Sequence, residues 1–375
     1  MQQTDVIVVG GGPGGSTCAR RLVDRGATVR VLDAAIFPRD KVCAGWITPQ
    51  VIEALQLDIE KYRAGRTWQD ITAFRVGSAG SCDDVLVDFG SRVSAGIRRC
   101  EFDTFLLQRS GAALETGTPV RSIRREHQLW VIDERWAAPV LIGAAGSACP
   151  VSIMLNGRAA SDAPLVVARE AEFLLDVDSR GVCRVESGIA ELYFTEDLAG
   201  YGWCVRKGNW MNVGIGRLGR HLPRTEVSGF GAFVRETRGV IVPGLEKWRG
   251  HSYLAGVPPR HKCSGEAVLL VGDAAGVASD RSGEGIGPAV DSGLMAADLI
   301  SDAAGDFSAD RLARYDALVA ERWHRSDSWA AVSRLIPQRV LRTMVSPLLR
   351  NRAFVENVVL TRWFLHAQER LPAAA

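Results

Sequence analysis

Residues 5–19 read DVIVVGGGPGGSTCA, a β-branched run followed at once by closely spaced glycines. The run 5–9 is typical of a buried parallel strand. Gly10, Gly12 and Gly15 form a GxGxxG pattern: the first glycine permits a tight turn, the second lets the backbone approach a pyrophosphate, and the third lets helix and strand pack closely. Free N–H groups at the start of the following helix can hold an anion. The segment therefore predicts a dinucleotide site.

A second strand and an acidic residue complete this unit. Residues 28–32, TVRVL, predict a strand, and Asp33 follows it, 18 residues after Gly15. An acid at this place accepts hydrogen bonds from the ribose hydroxyls of adenosine. The order of strand, glycines, helix, strand and acid predicts a Rossmann-type unit, and it leaves NAD and FAD both open.

Another glycine-rich motif lies near the other end of the chain. The apolar run 267–271 predicts a buried strand that ends in Gly272–Asp273, and this carboxylate can accept hydrogen bonds from ribityl hydroxyls. Gly283–Gly285 offers bare backbone to a flat ring, and a helix starting near Ile286 directs its positive end toward that ring. Together with the first motif, this pattern favours FAD.

Composition excludes several other classes of protein. The chain has 375 residues, 47% hydrophobic and 23% charged, and a formal net charge of +2, which excludes a whole-chain polycation that binds nucleic acid. The eight cysteines show no CxxC pair and no Cys/His cluster, so we expect free thiols and no metal site. The N-terminus lacks the pattern of a signal peptide, which favours a cytoplasmic protein.

The C-terminal part has a helical pattern from Ser308 onward. Residues 331–352 carry five arginines, no acid and an interleaved set of apolar residues. A basic amphipathic helix of this kind can contact an anionic membrane or a partner protein. The alternative is a lid helix with a solvated basic face.

These motifs together resemble the flavoproteins of the para-hydroxybenzoate hydroxylase fold. Within that group the chain is most similar to the geranylgeranyl reductase family, with the flavin-dependent halogenases as more distant relatives. The segments that carry the resemblance are Gly10–Gly15, FPRDKVC at 37–43, 99–103, Gly272–Asp273 with Gly283–Gly285, and GYGWCVRKGNWMNVG at 200–214.

The resemblance implies an α/β fold, α+β overall. It implies a Rossmann-type FAD-binding domain in three pieces, an inserted antiparallel β-sheet domain for the substrate, and a C-terminal helical region. We assign 1–66, 97–158 and 262–305 to the first, 67–96 and 159–261 to the second, and 306–375 to the third. Trp46, Trp203 and Trp210 are candidates for the wall of an apolar substrate cavity.

The predicted site residues follow from the same motifs. Cys43 and Trp46 are predicted to face the chemistry. The predicted FAD-binding residues are Gly10, Gly12, Gly15, Asp33, Arg39, Lys41, Arg99, Gly272, Asp273, Gly283, Gly285 and Ile286.

Three segments depart from the related families. Trp46 stands where small residues are usual, which implies a reshaped pocket, and 143–146 reads GAAG where a carboxylate is usual. The halogenase motifs are matched only by half. The fold would allow a Cys43–Cys149 pair, although two free thiols are the expectation.

The predicted function is that of an FAD-dependent oxidoreductase, transferring hydride or electrons through flavin N5 to or from a bulky apolar substrate. The substrate could be a small molecule, a lipid, or a group bound to a carrier or protein. One alternative is a flavin-dependent monooxygenase or oxidase of a biosynthetic or protein-modification pathway. Another is a non-catalytic electron-transfer flavoprotein that serves a partner. The reductant stays open among NADPH, NADH and a redox protein.

Overall fold

The chain was studied as a computed structural model. The structure describes residues 1–157, 165–254, 256, 261–279, 281–323 and 347–365. Most of the basic segment 331–352 lies outside these residues.

Twenty strands are present in the described residues. In chain order they are β1 (Gln2–Gln3), β2 (Val6–Val9), β3 (Val29–Leu32), β4 (Trp46–Ile47), β5 (Trp68–Ile71), β6 (Ala73–Ser78), β7 (Asp84–Asp88), β8 (Ser94–Ile97), β9 (Ala113–Glu115), β10 (Ile123–Glu126), β11 (Leu129–Ile132), β12 (Trp136–Ala138), β13 (Val140–Gly143), β14 (Leu165–Leu174), β15 (Ile189–Phe194), β16 (Gly200–Lys207), β17 (Trp210–Leu218), β18 (Arg249–Leu254), β19 (Ser264–Gly265) and β20 (Val268–Leu270).

The helices connect these strands or cover the sheets. The α-helices are α1 (Pro13–Asp24), α2 (Pro49–Ala54), α3 (Ile59–Arg63), α4 (Arg99–Arg109), α5 (Pro150–Asn156), α6 (Val177–Val182), α7 (Arg224–Arg238), α8 (Ile286–Asp302), α9 (Ala309–Leu312), α10 (Arg314–Trp323) and α11 (Arg352–Phe354). A π-helix spans Val355–Phe364, and short 3₁₀ turns lie at Gly146–Ala148, Leu245–Lys247, Gly272–Ala274 and Leu348–Arg350.

A six-stranded sheet in the order β19-β20-β13-β2-β3-β9 carries the glycine motifs. All its pairings are parallel except that of β19 with β20. The four residues of β2 are fully buried, as expected for a parallel strand covered on both faces. Helix α1 starts with Pro13, which fits a first helical position because the N–H that proline lacks has no partner within the helix.

A seven-stranded sheet in the order β18-β14-β17-β16-β15-β6-β7 lies in the second part of the chain. Its pairings are antiparallel apart from that of β15 with β6. Side chains alternate between its two faces: Trp203 and Val205 belong to one apolar cluster, and Cys204 and Met211 belong to another. Helix α7 covers the second face and the π-helix Val355–Phe364 covers the first.

Two smaller sheets complete the fold, in the orders β1-β12-β11-β10 and β4-β8-β5. The architecture confirms the predicted fold class: a Rossmann-type unit, a largely antiparallel sheet and C-terminal helices. The sheet β4-β8-β5 pairs residues from both sides of the predicted domain boundaries near 67 and 97. The exact division into domains therefore stays a prediction. Within the described residues, no helix is both long and apolar enough to cross a membrane.

Candidate active site

A cavity of about 670 Å³ lies between the glycine loops of the six-stranded sheet and one face of the seven-stranded sheet. All the predicted site residues except Gly15 line it. Segments far apart in sequence thus meet at one place: the turns after β2, β3 and β20, the loop 39–46, and the strands β14, β16, β17 and β18. The roles of the individual residues stay predictions.

The GxGxxG turn has the geometry that its sequence predicts. Gly10 has a φ of +117°, and a Cβ there would lie 2.3 Å from the carbonyl oxygen of Ala144. A Cβ on Gly15 would lie 1.9 Å from the carbonyl oxygen of Gly10, so this glycine packs the helix against the turn and does not face the cavity. Gly12 caps α1 and lines the cavity, with the nearest guanidinium nitrogen of Arg39 at 3.5 Å from its would-be Cβ.

Asp33 is held in place by main-chain donors. Its Oδ2 accepts a hydrogen bond from the N–H of Gly11 at 2.7 Å, and its Oδ1 accepts one from the N–H of Ala35 at 2.8 Å. The carboxylate therefore has a fixed orientation at the edge of the cavity, directly beside the glycine turn. This is the position from which an acid can bind a ribose.

Two arginines of the site share one buried acid. Arg99 donates from Nε and Nη2 to the two carboxylate oxygens of Asp103 at 2.7 and 2.8 Å, and Arg39 lies 3.2 Å from the same carboxylate. Asp103 is fully buried, and Arg99 is 8% exposed. The acid positions both guanidinium groups at the cavity, where they can contact an anionic ligand.

A titratable cluster of Lys41, His251 and Asp273 lies at the same cavity. Lys41 Nζ contacts His251 Nε2, and it lies 3.8 Å from Asp273 Oδ2, while His251 Nε2 lies 3.4 Å from that oxygen. Burial lowers the pKa of Lys41 to about 8 and also lowers the pKa of His251. Burial opposes ionisation of Asp273, but the hydrogen bond from His251 and the charge of Lys41 outweigh it and lower the pKa.

The loop before α8 is held by two tyrosines. Gly283 has a φ of +68°, and its carbonyl oxygen accepts a hydrogen bond from the hydroxyl of Tyr253 at 3.3 Å. The hydroxyl of Tyr201 donates to the carbonyl oxygen of Ser282. Helix α8 begins at Ile286, as predicted, and this residue lines the cavity.

Four aromatic side chains form the apolar wall of the cavity: Trp46, Tyr201, Trp203 and Phe364. The ring centroid of Phe364 lies 5.1 Å from that of Tyr201 and 6.2 Å from that of Trp46. The prediction for Trp210 is wrong: this residue does not line the cavity, because its ring stacks under the guanidinium of Arg98, 3.4 Å from the ring centroid. Phe364 comes from the C-terminal π-helix, which sequence analysis did not connect with the site.

Both cysteines considered for a pair are free thiols. Cys43 is half-buried and lines the cavity, and Cys149 is fully buried. Among the described residues, no group of His, Cys, Asp or Glu is arranged to hold a metal ion.

Sequence reasoning missed four residues of the site: Asp103, His251, Tyr201 and Phe364. The i, i+4 spacing of Arg99 and Asp103 on a predicted helix could have revealed the first. His251 carries no local signal, because β18 brings it to Asp273 only through the pairing of distant strands.

The cavity fits a dinucleotide such as FAD. A Cβ would fill the turn at Gly10, and Gly12, at the N-terminus of α1, lines the cavity beside the guanidinium group of Arg39. Three cations, Arg39, Lys41 and Arg99, line the same cavity and can face a diphosphate.

Comparisons with known proteins agree with this geometry. Residues 8–46 match the model of an NAD(P)-binding Rossmann-like domain. An uncharacterized protein of Methanosarcina barkeri is 30% identical over 315 residues, which cover 80% of this chain and 75% of that protein. Menaquinone reductase of Mycolicibacterium smegmatis is 29% identical over 331 residues, covering 80% of this chain and 76% of the enzyme. Digeranylgeranylglycerophospholipid reductase of Methanocaldococcus jannaschii is 26% identical over 358 residues, with coverages of 91% and 87%.

Solved structures show the same fold. A geranylgeranyl bacteriochlorophyll reductase-like protein of Thermoplasma acidophilum superposes with a TM-score of 0.76 at 20% identity, over 98% of this chain and 100% of that chain. The fold and the cavity define a protein with a Rossmann-type dinucleotide site. With these relatives, the chain belongs to the geranylgeranyl reductase family of FAD-dependent oxidoreductases.

Proposed function

We propose that this protein uses FAD to reduce a carbon–carbon double bond in a bulky apolar substrate. The observation that carries the proposal is the composition of one cavity. Its first side is a glycine-rich dinucleotide site, and its second side is the wall of Trp46, Tyr201, Trp203 and Phe364. A cavity that joins these two sides can bring an apolar molecule against the cofactor.

The names of the relatives support this choice of reaction. Two of the curated relatives are a menaquinone reductase and a digeranylgeranylglycerophospholipid reductase. The flavin-dependent halogenases among the structural neighbours share the fold at under 25% identity, so they do not favour a halogenase reaction.

The residues of the first side bind and orient the cofactor. The N-terminus of α1 and the guanidinium groups of Arg39 and Arg99 would hold the diphosphate, and Asp33 would accept hydrogen bonds from the ribose. Asp273, fixed by Lys41 and His251, would accept hydrogen bonds from the ribityl chain. Bound FAD supplies the two-electron chemistry that these side chains lack.

The residues of the second side select the substrate and exclude water. Aromatic rings at the wall bury the apolar surface of a ligand, at about 25 cal/mol per Å². Reduction of a double bond also needs a proton. Lys41 and His251 line the cavity, and the pKa of Lys41, which burial lowers to about 8, lets its ammonium group donate a proton near neutral pH.

An anaerobic turnover experiment tests the proposal. The protein is loaded with FAD, reduced chemically, and mixed with menaquinone or with a phospholipid that carries geranylgeranyl chains. We expect products that, after any quinol has been oxidised back to the quinone in air, are heavier than the substrate by pairs of hydrogen atoms. In air, a product heavier by one oxygen atom would favour a monooxygenase. Reoxidation by a redox protein alone, with neither compound altered, would favour an electron-transfer flavoprotein.

A lipid substrate would also give a reason for a membrane or partner contact. That contact, through the basic segment 331–352, is proposed from its sequence alone.

A further inference from the structure

A buried polar cluster lies directly beneath the loop 43–46, on the side away from the cavity. It is built from Glu170 on β14, Lys207 at the end of β16 and Asn212 on β17. These side chains are 6%, 1% and 1% exposed, and none of them lines the cavity. Burial of so many polar groups is costly unless each has a partner, so their contacts indicate what the cluster is for.

The contacts of the cluster converge on the main chain of one residue, Cys43. Glu170 Oε2 accepts a hydrogen bond from the N–H of Cys43 at 2.7 Å. Asn212 Nδ2 donates to the carbonyl oxygen of Cys43 at 3.2 Å and lies 3.3 Å from the same Glu170 oxygen. Both main-chain groups of Cys43 are therefore held by side chains of the seven-stranded sheet.

The same cluster also contacts Trp203 of the apolar wall and the glycine that precedes Trp46. Trp203, a residue of that wall, donates from its indole nitrogen to Asn212 Oδ1 at 2.7 Å. A Cβ on Gly45 would lie 2.3 Å from Lys207 Nζ, so the ammonium group lies against the underside of the loop. The residue after this glycine is Trp46, which belongs to the wall.

We propose that Glu170, together with Asn212, is the positioning residue for the loop 43–46 and so sets the geometry of the cavity face that Cys43 and Trp46 form. Glu170 does not touch the reacting atoms; it acts through the main chain of Cys43. The part of the proposal that concerns catalysis rests on the proposed function, because it requires that FAD and substrate bind above this loop.

The charges around Glu170 favour the protonated, neutral form of its carboxyl group. Lys207 Nζ is 2.9 Å from Glu172 Oε1, and Arg98 Nε is 3.1 Å from Glu172 Oε2. Both cations are therefore paired with Glu172. Arg249, opposite Glu170 on β18, is exposed and paired with Asp40.

Without a cation of its own, Glu170 keeps its proton to higher pH than usual. Burial raises its pKa from the ordinary value of 4.5 to about 8, while the nearby charge of Lys207 lowers it and limits the rise. Lys41 and Arg99 line the cavity, whereas Glu170 does not.

The raised pKa of Glu170 makes the stability of the fold depend on pH. Between pH 4.5 and about 8 the folded protein keeps the proton on Glu170, whereas the unfolded chain has lost it. The folded state then binds more protons, so this group lowers the stability of the fold as the pH rises through that window.

The test measures the accessibility of the Cys43 thiol in protein without FAD, by alkylation at fixed pH followed by peptide mass mapping. The exposed Cys82 serves as internal reference. In Glu170→Leu, which removes the acceptor for the Cys43 N–H, we expect the rate for Cys43 relative to Cys82 to rise several-fold. Glu170→Gln keeps an oxygen at this place and is expected to stay within about twofold of wild type.

Glu191→Gln is the matched control. Glu191 is another buried acid of the same sheet with a raised pKa, but it pairs with Arg238 and Arg75 away from the cavity. We expect it to leave Cys43 labelling unchanged. A folded Glu170→Leu protein with wild-type labelling would overturn the proposal, as would an equal rise in the control.

A second measurement applies if Glu170→Leu does not fold. The melting temperatures of wild type and Glu170→Gln without FAD are compared across the window between pH 4.5 and about 8. We expect the difference to grow with pH in favour of Gln, and a constant difference would contradict the proposal. If wild-type protein binds no FAD, the proposed function fails, while the Cys43 labelling still decides whether Glu170 holds the loop.

Discussion

The two sides of the cavity are built in different ways. The dinucleotide side combines glycine turns at the carboxyl ends of the parallel strands β2 and β20 with the charged side chains of Asp33, Arg39, Lys41, Arg99 and Asp273. The substrate side consists of aromatic side chains: Trp46 on β4, Tyr201 and Trp203 on β16, and Phe364 from the C-terminal π-helix.

This difference decides what each side can tolerate. A main-chain site depends on the absence of Cβ atoms, so an added methyl group is expected to destroy it. A side-chain wall depends on the size and shape of its members, so a smaller ring is expected to change selectivity and leave the cofactor in place.

The largest effect is expected at Gly15. In Gly15→Ala the new Cβ would lie 1.9 Å from the carbonyl oxygen of Gly10, a backbone atom that cannot move without opening the turn. We expect a loss of about 3 kcal/mol or more in the free energy of unfolding and the loss of FAD binding, measured by urea denaturation and flavin absorbance. In Gly229→Ala, where the Cβ would meet no atom within 4 Å, stability should hold or rise.

The second-largest effect on FAD binding is expected at Asp273. Asp273→Asn removes the negative charge that fixes Lys41 and His251, so we expect the affinity for FAD to fall by about tenfold, or about 1.4 kcal/mol. Isothermal titration with FAD measures this change. Asp298→Asn, which breaks the ion pairs with Arg21 and Arg25 away from the cavity, should bind FAD as wild type does. Equal affinities in the two variants would contradict a cofactor role for Asp273.

A smaller and more selective effect is expected at Phe364. Phe364→Leu removes the ring that contacts Tyr201 and Trp46, so apolar substrates should bind several-fold more weakly, or longer ones should be accepted. FAD affinity should stay within about twofold. Phe354→Leu alters a ring of α11 that packs on Trp363 and does not line the cavity, and it should change neither property. If Phe364→Leu weakened FAD binding as much as substrate binding, the division of the cavity into a cofactor side and a substrate side would be contradicted.

The smallest effect is expected from titration of Lys41. Its pKa of about 8 means that the ammonium is charged below that pH and neutral above it. The affinity for the anionic FAD should therefore decline by a few-fold as the pH rises from about 7 to about 9. Lys41→Arg keeps its charge over this range, so its affinity should change less. The same decline in both proteins would exclude Lys41 as its cause.

The dinucleotide side could be predicted from the sequence because its signals are local. The spacing of Gly10, Gly12 and Gly15 and the acid after the second strand lie within 24 consecutive residues, and each reflects a requirement of the backbone. Gly283–Gly285 before α8 is a signal of the same kind.

The substrate side could be predicted only in part. Trp46 and Trp203 were proposed for the wall because of their residue type, and Trp210 was proposed for the same reason and is wrong. Residue type does not tell which face of a strand a side chain occupies, since a shift of one residue reverses it. Phe364 and His251 reach the cavity through contacts between elements far apart in sequence, for which the chain carries no local signal.

The most direct test of the account is an absorbance titration of the purified, flavin-free protein with FAD. We predict saturation at one FAD per chain with a shifted visible flavin spectrum. Neither nucleic acid nor metal ions should compete with FAD for the site. A protein that binds no FAD, or that binds it equally well after Gly15→Ala and Asp273→Asn, would contradict the assignment of this cavity as the flavin site.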